Sequence, residues 1–249
     1  MSVSANTLFH FTDFETLKNI LRSKCFWPQY SFEHFDKALP TGSRYHSAYI
    51  PMVCFCDLKL TQLADISISD HTKHFGNYGL GFNKDWGISM KISPVSYVHE
   101  KSVASTTIER VISTVNSSNL PADKKFINNL GEIVKFLKPF TGNYQKGKKL
   151  KKNITYYDER EWRYIPKEKK YEVFPSHTTK VREKIKKLNL ELQSNPLNFK
   201  LRDIRYIIIK NESEKSLLIA SFSTSKTRKR DRDYLISRII SLEEIRNNF

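Results

Sequence analysis

The stretch D-E-R-E-W-R-Y-I-P, Asp158 to Pro166, places three acids and two arginines within six residues, beside a Trp and a Tyr. If it is a strand, its period of two puts Glu159, Glu161 and Arg163 on one face and Asp158, Arg160, Trp162 and Tyr164 on the other. Two carboxylates then share a surface. Such a pair can hold a ribose hydroxyl and stabilise a developing oxocarbenium ion, because negative charge set where positive charge appears lowers the barrier. The same residues also describe a solvated strand whose acids are balanced by Arg160 and Arg163.

Other residues bear on the choice. His10 falls at the end of a short apolar run just before a helix start, where its ring can donate to a nucleotide ribose or simply pack among aromatics. Tyr78 and Tyr97 offer rings on which a planar base could stack, or belong to the core. Cys54 and Cys56 with His71 and His74 have the residue types of a zinc site. However, a C-x-C inside an apolar strand has no turn to wrap a metal, so no metal is expected. Lys148, Lys149, Lys151 and Lys152, together with Arg228, Lys229 and Arg230, form two cationic runs that could grip phosphates of nucleic acid or remain solvated. There is no Walker loop, no G-x-G-x-x-G after a strand and no G-x-S-x-G elbow.

The elements that must position these residues follow from pattern. Leu8 to Thr12 reads as a strand, and T-D-F-E reads as a capping box with Thr12 at the N-cap and Glu15 at N3. Phe14, Leu17, Ile20 and Leu21 then form the apolar face of the helix. Ile50 to Asp57 reads as a buried strand, with a short helix after it through Leu60 and Leu63. The glycine-aromatic stretch His74 to Trp86 reads as strand and turn. The I-S-M-K-I-S-P run is strand up to its proline. Residues 105 to 140 are expected as a helical insertion. Q-K-G-K-K-L-K-K-N, with five lysines in nine residues, is expected as a solvated loop. Thr178 to Leu190 predicts a basic helix, and Asp203 to Lys210 a buried strand rich in β-branched residues. Asn211 with Glu214 predicts a cap, S-K-T-R-K-R-D-R-D a charged surface loop, Leu235 to Ile240 a strand, and Ser241 with Glu244 the cap of a closing helix. Strands and helices mix without βαβ alternation, so the fold class is α+β in a single domain over residues 1–249.

The composition is basic, with 42 Lys plus Arg against 26 Asp plus Glu and a formal charge of +16. This favours a polyanionic partner, whether nucleic acid, a nucleotide or an acidic protein. Three cysteines show no framework spacing, and the sequence has neither a signal-like start nor an apolar run of membrane length. A cytoplasmic protein with reduced thiols is therefore expected.

Taken together, H-F-T-D-F-E-T-L-K-N-I-L, V-C-F-C-D-L, Y-G-L-G-F-N-K-D-W and D-E-R-E-W-R-Y-I-P, in this order, resemble the AbiGi family over essentially the whole chain. That resemblance implies one component of a two-gene abortive-infection phage-defence system, an antitoxin partner of the nucleotidyltransferase-like toxin AbiGii. A more distant likeness to ADP-ribosyltransferase-like folds rests on the opening H-F-T strand, the glycine-aromatic middle and the late strand bearing Glu. It implies mixed and antiparallel sheets with flanking helices and a possible NAD site. Carried over, His10 and Thr12 match the first-strand nucleotide contact and Glu161 the catalytic glutamate, with Glu159 beside it. The tyrosine of the second motif has three candidates, Tyr45, Tyr49 and Tyr78. The alternative is a non-catalytic antitoxin that binds its toxin, or operator DNA or RNA, through a basic surface.

Overall fold

The computed structural model describes residues 5–35, 38, 47–63, 76–117, 129, 131–146, 149–167, 173–175, 179–223 and 228–248. In chain order its elements are β1 (Thr7–Thr12), α1 (Phe14–Ser23), β2 (Cys25–Phe26), β3 (Gln29–His34), β4 (Ser47–Cys56), β5 (Tyr78–Asn83), α2 (Lys84–Ser89), β6 (Ser93–Pro94), β7 (Ser96–Val98), α3 (Val103–Ser117), β8 (Leu137–Pro139), β9 (Thr141–Lys146), β10 (Lys149–Thr155), β11 (Glu161–Tyr164), β12 (Phe174–Pro175), α4 (Thr179–Leu192), β13 (Leu197–Asn198), β14 (Ile204–Ile209), α5 (Lys215–Ser223), α6 (Lys229–Ile236), β15 (Ile239–Ser241) and α7 (Leu242–Asn248). The mixture of antiparallel and parallel pairs with flanking helices is α+β.

The chain forms two compact units. The first gathers Met1–Phe26, Cys54–Ile92 and Leu197–Phe249, and the second Trp27–Val53 and Ser93–Pro196. In the first unit β1 lies antiparallel to β5 from Thr7 opposite Asn83 to Thr12 opposite Tyr78. On the other edge of β5 runs β14, also antiparallel, with β15 parallel to β14 beyond it. The sequence Ile204 to Ile209 forms this inner strand because its β-branched residues suit a pleated, enclosed position, and Ile207, Ile208 and Ile209 are fully buried. Phe9, Leu58, Leu63, Ile208, Leu242 and Ile245 form one core cluster of this unit.

Helix α1 buries Leu17, Ile20 and Leu21, the apolar face expected from their spacing. Its cap is one residue later than expected. Asp13, not Thr12, is the N-cap, and its carboxylate accepts from the Thr16 amide at 2.8 Å and from the Thr16 hydroxyl at 2.7 Å. Thr12 is held in β1 by its pairing with Tyr78, so it has no freedom to cap. The turn entering β5 requires Gly76: φ is +97°, and a Cβ there would stand 1.9 Å from the Thr12 carbonyl oxygen.

In the second unit β3 pairs with β4 from Gln29 opposite Met52 to His34 opposite Ser47, and β12 pairs with β4 at Tyr49 and Ala48. Further pairs are β11 with β6, β7 parallel to β8, and β9 with β10. Within residues 105–140 the described parts include 105–117, which belong to α3, residue 129, a helical stretch over 131–134 and, at the far end, strand β8. Several local expectations change. Ile88 and Ser89 end helix α2 rather than starting a strand, and extended backbone resumes at β6. The lysine run is strand, because Lys149, Lys151 and Lys152 lie in β10, which hydrogen-bonds to β9; Lys148 is outside the described residues. The charged run after Ser225 enters helix α6, and the expected strand from Leu235 shrinks to β15. The Asn211 side chain makes no cap bond, whereas Ser241 does cap α7, its hydroxyl accepting from the Glu244 amide at 2.9 Å. No helix among the described residues is long and apolar enough to cross a membrane.

Candidate functional site

The D-E-R-E-W-R-Y stretch is not one strand. Tyr156–Glu159 form a turn of 3-10 helix, Arg160 takes a left-handed conformation at φ 44°, and only Glu161–Tyr164 are strand β11. The period-two argument therefore holds for Glu161 and Arg163 but not across Arg160 to Glu159. The alternation also runs inverted from what apolar area favours, which is rings inward and charges outward. Glu161 and Arg163 are buried, Arg163 completely, while Trp162 and Tyr164 are half-exposed.

Lys138, from β8, accounts for this inversion. Its ammonium donates to Glu159 Oε2 at 2.7 Å and to Glu161 Oε2 at 2.5 Å, so the two carboxylates converge after all, but on a buried cation. Arg163 closes the other side. Its Nε donates to Glu161 Oε1 at 2.7 Å, Nη2 to Glu33 Oε2 at 3.0 Å and to Glu161 Oε2 at 3.3 Å, and Nη1 to the carbonyls of Lys135 at 2.9 Å and Leu137 at 3.4 Å. All five guanidinium N–H groups thus have acceptors. The Glu161 backbone amide donates to the Tyr97 hydroxyl at 2.7 Å, which places Tyr97 in the cluster and not on an open ledge for a base. The Lys138 ammonium also lies 4.9 Å from the centre of the Tyr156 ring. That ring can come so close because residue 142 is glycine: a Cβ there would meet Tyr156 Cε2 at 2.5 Å.

The protonation states follow from this geometry. Burial opposes the charge on Glu161, but Arg163 and Lys138 outweigh it and hold the carboxyl well below its usual range. Glu159 goes the other way: burial pushes it up, Lys138 pulls it back, and the neighbouring Glu161 charge adds to the rise. Burial also works against the charge of Lys138, yet Glu159 and Glu161 together raise it well above an ordinary lysine. Two carboxylates whose titration is driven apart are a pattern of acid–base sites. Here, however, both oxygens of the more acidic one, Glu161, are occupied by protein donors.

The remaining predicted residues lie in the first unit or on surface elements. His10 is in β1, its Nδ1–H donating to the Cys54 carbonyl at 2.8 Å and its ring 4.8 Å from Phe26 and 5.7 Å from Phe55. Desolvation lowers its pKa despite the bond to Cys54, so the ring is neutral. Opposite Thr12, Tyr78 donates to Glu214 Oε1 at 2.8 Å and packs 5.1 Å from Phe14. Burial, then Glu214, pushes its hydroxyl up to about 12. Cys54 and Cys56 sit in β4, while His71 and His74 fall outside the described residues. Arg228 is the N-cap residue of α6 and, with Lys229 and Arg230, is exposed. The structure thus gathers Glu159 and Glu161 in one cluster of the second unit and puts His10, Thr12 and Tyr78 in the first. Pattern reasoning missed Lys138 and Glu33. The one available signal was a lone lysine inside the apolar run F-L-K-P-F, Phe136 to Phe140.

Comparison with known proteins agrees with the resemblance seen in the motifs. The family described as "Putative abortive phage resistance protein AbiGi, antitoxin" matches residues 25–210. The abortive phage resistance protein AbiGi of Lactococcus lactis subsp. cremoris is 30% identical over 250 residues, covering 90% of this chain and 99% of its own. No solved structure matches the chain. With the family pattern spanning most of its length and a relative aligned nearly end to end, this chain belongs to the AbiGi family.

Proposed function

We infer that this protein is the antitoxin-side component of an abortive-infection phage-defence pair, and that it works by binding its cognate toxin rather than by making or breaking a bond. The observation that carries the reading is the closure of Glu161. A glutamate that stabilises a cationic sugar must present a free oxygen to it, and both oxygens of Glu161 are held by Lys138 and Arg163. Family membership supports the same reading, since the family description carries the word antitoxin. The partner is a nucleotidyltransferase-like protein encoded alongside. The ADP-ribosyltransferase likeness enters only as a scaffold: an opening strand with His10 and Thr12 leading into a helix, kept without NAD chemistry.

The test is co-expression with the toxin gene of the same operon. The parent protein should restore growth and co-purify with the toxin, and purified protein incubated with NAD should release no nicotinamide above the buffer blank. Nicotinamide release that Glu161→Gln abolishes, in protein as soluble as the parent, would overturn the binding reading in favour of the transferase.

A further inference from the structure

Helix α4 spends one side on its own unit and leaves the rest cationic. Ile185, Leu188 and Leu192 are buried with Tyr30, and Tyr49 and Val181 pack against them. The outward residues include Lys180, Arg182, Lys184, Lys186 and Lys187, all exposed, against two exposed acids, Glu183 and Glu191. At about 100° per residue, Arg182 and Lys186 fall on one shoulder of the helix and Lys180, Lys184 and Lys187 on the other, where Glu191 joins them. The crest between the shoulders holds Glu183 and Leu190, the latter 68% exposed.

Four of these cations lack an acidic partner: among the described residues Lys180, Arg182, Lys186 and Lys187 form no ion pair, whereas Lys135, Lys138 and Arg163 of the same unit are each paired. Arg182 and Lys186 are like charges four apart, an arrangement that works against the helix unless an anion lies between or beside them.

We propose that α4 is a DNA-contacting helix that enters the major groove of a B-form duplex. Its diameter with side chains, about 10–12 Å, matches a groove about 12 Å wide. Cations on both shoulders face the two phosphate rows that wall the groove, while the crest turns Glu183 and Leu190 toward base edges, where a carboxylate accepts from the cytosine amino group. A flat acidic protein surface would meet the crest first, and Glu183 repels it. The deep, narrow major groove of an RNA duplex does not admit the helix. This activity goes beyond pairing with a toxin and is read on the protein alone, so it stands or falls separately.

The experiment is fluorescence anisotropy with a mixed-sequence DNA duplex longer than two helical turns, titrated at several salt concentrations. The parent should bind with affinity falling steeply as salt rises. Arg182→Gln with Lys186→Gln, and separately Lys180→Gln with Lys187→Gln, should each lower the slope of log affinity against log salt by about 2, since each lost phosphate contact removes roughly 0.9. Lys210→Gln, exposed in the first unit, should leave it unchanged. Thermal melts matching the parent show that the variants are folded. Should one pair unfold the chain, the other pair and the charge-keeping Arg182→Lys, expected to bind as the parent does, decide the matter. No salt-dependent binding by the parent, an unchanged slope in a folded shoulder variant, or equal competition by an RNA duplex or by polyglutamate at matched charge overturns the proposal.

Discussion

Arg163 and Glu161 have exchanged the open surface expected of them for an interior in which each is worth most while the other is present. A buried ion pair contributes little net stability against an apolar substitute, but removing one partner strands the other, at a cost of about 3–5 kcal/mol. Glu161→Gln should therefore lower the urea midpoint strongly by leaving Lys138 and Arg163 short of charge. Glu159→Gln should be much milder, because burial already pushes that carboxyl toward its neutral form. The pH dependence separates the two by sign. Glu161 has a depressed folded pKa, so its contribution is fully present above the ordinary carboxylate range and is lost as pH falls through and below it. Glu159 has a raised one, so its contribution is largest when protonated and fades as pH rises. Stability measured from pH 7 downward should fall in the parent and fall less steeply in Glu161→Gln; parallel curves would refute the assignment. Period two made the common face of Glu161 and Arg163 legible. It could not say that this face points inward, because Lys138 arrives from 23 residues earlier in the chain, and no local pattern reports a contact at that separation.

Single residues also set the elements. The first helix was legible from its apolar spacing and from the polar cluster before it, yet the competition between Thr12 and Asp13 for the cap is decided by strand pairing, which propensity does not contain. Asp13→Ala should cost about 1 kcal/mol of stability in chemical denaturation, and Thr12→Val should leave the cap untouched. If the two cost the same, the cap assignment is wrong. Gly142 makes a second case. Alanine there meets the Tyr156 ring, so Gly142→Ala should displace that ring from Lys138 and destabilise the protein by about 1–3 kcal/mol, as overpacking does. Pairing with Tyr156→Leu tests the link, since relief of the clash should make the double variant less damaged than the sum of the singles. The two cationic runs misread as loops carry a related lesson. Charge density tells that side chains are solvated, and a hairpin edge or an exposed helix face satisfies that as well as a loop does. The start of α6, where Lys229 and Arg230 are exposed, is such a case.

Across the whole molecule the sequence made three things legible: the α+β class, the basic balance and the family. It concealed the partition of the chain. The first unit draws on three separated segments and the second on two, with crossings after Phe26, Val53, Ile92 and Pro196. Nothing in composition marks those crossings, because no Gly- or Pro-rich linker is needed where the chain simply continues, as β4 does by giving Ser47–Val53 to one unit and Cys54–Cys56 to the other. This partition has a consequence for how the protein is made. A ribosome delivers all of the second unit by Pro196, but the first still lacks β14, whose place is beside β5. Until β14 is made, β5 presents an unpaired edge, which is the kind of backbone that proteases and other nascent strands seize. Pulse-labelled chains halted at residue 196 should accordingly lose α1 to trypsin faster than finished chains do.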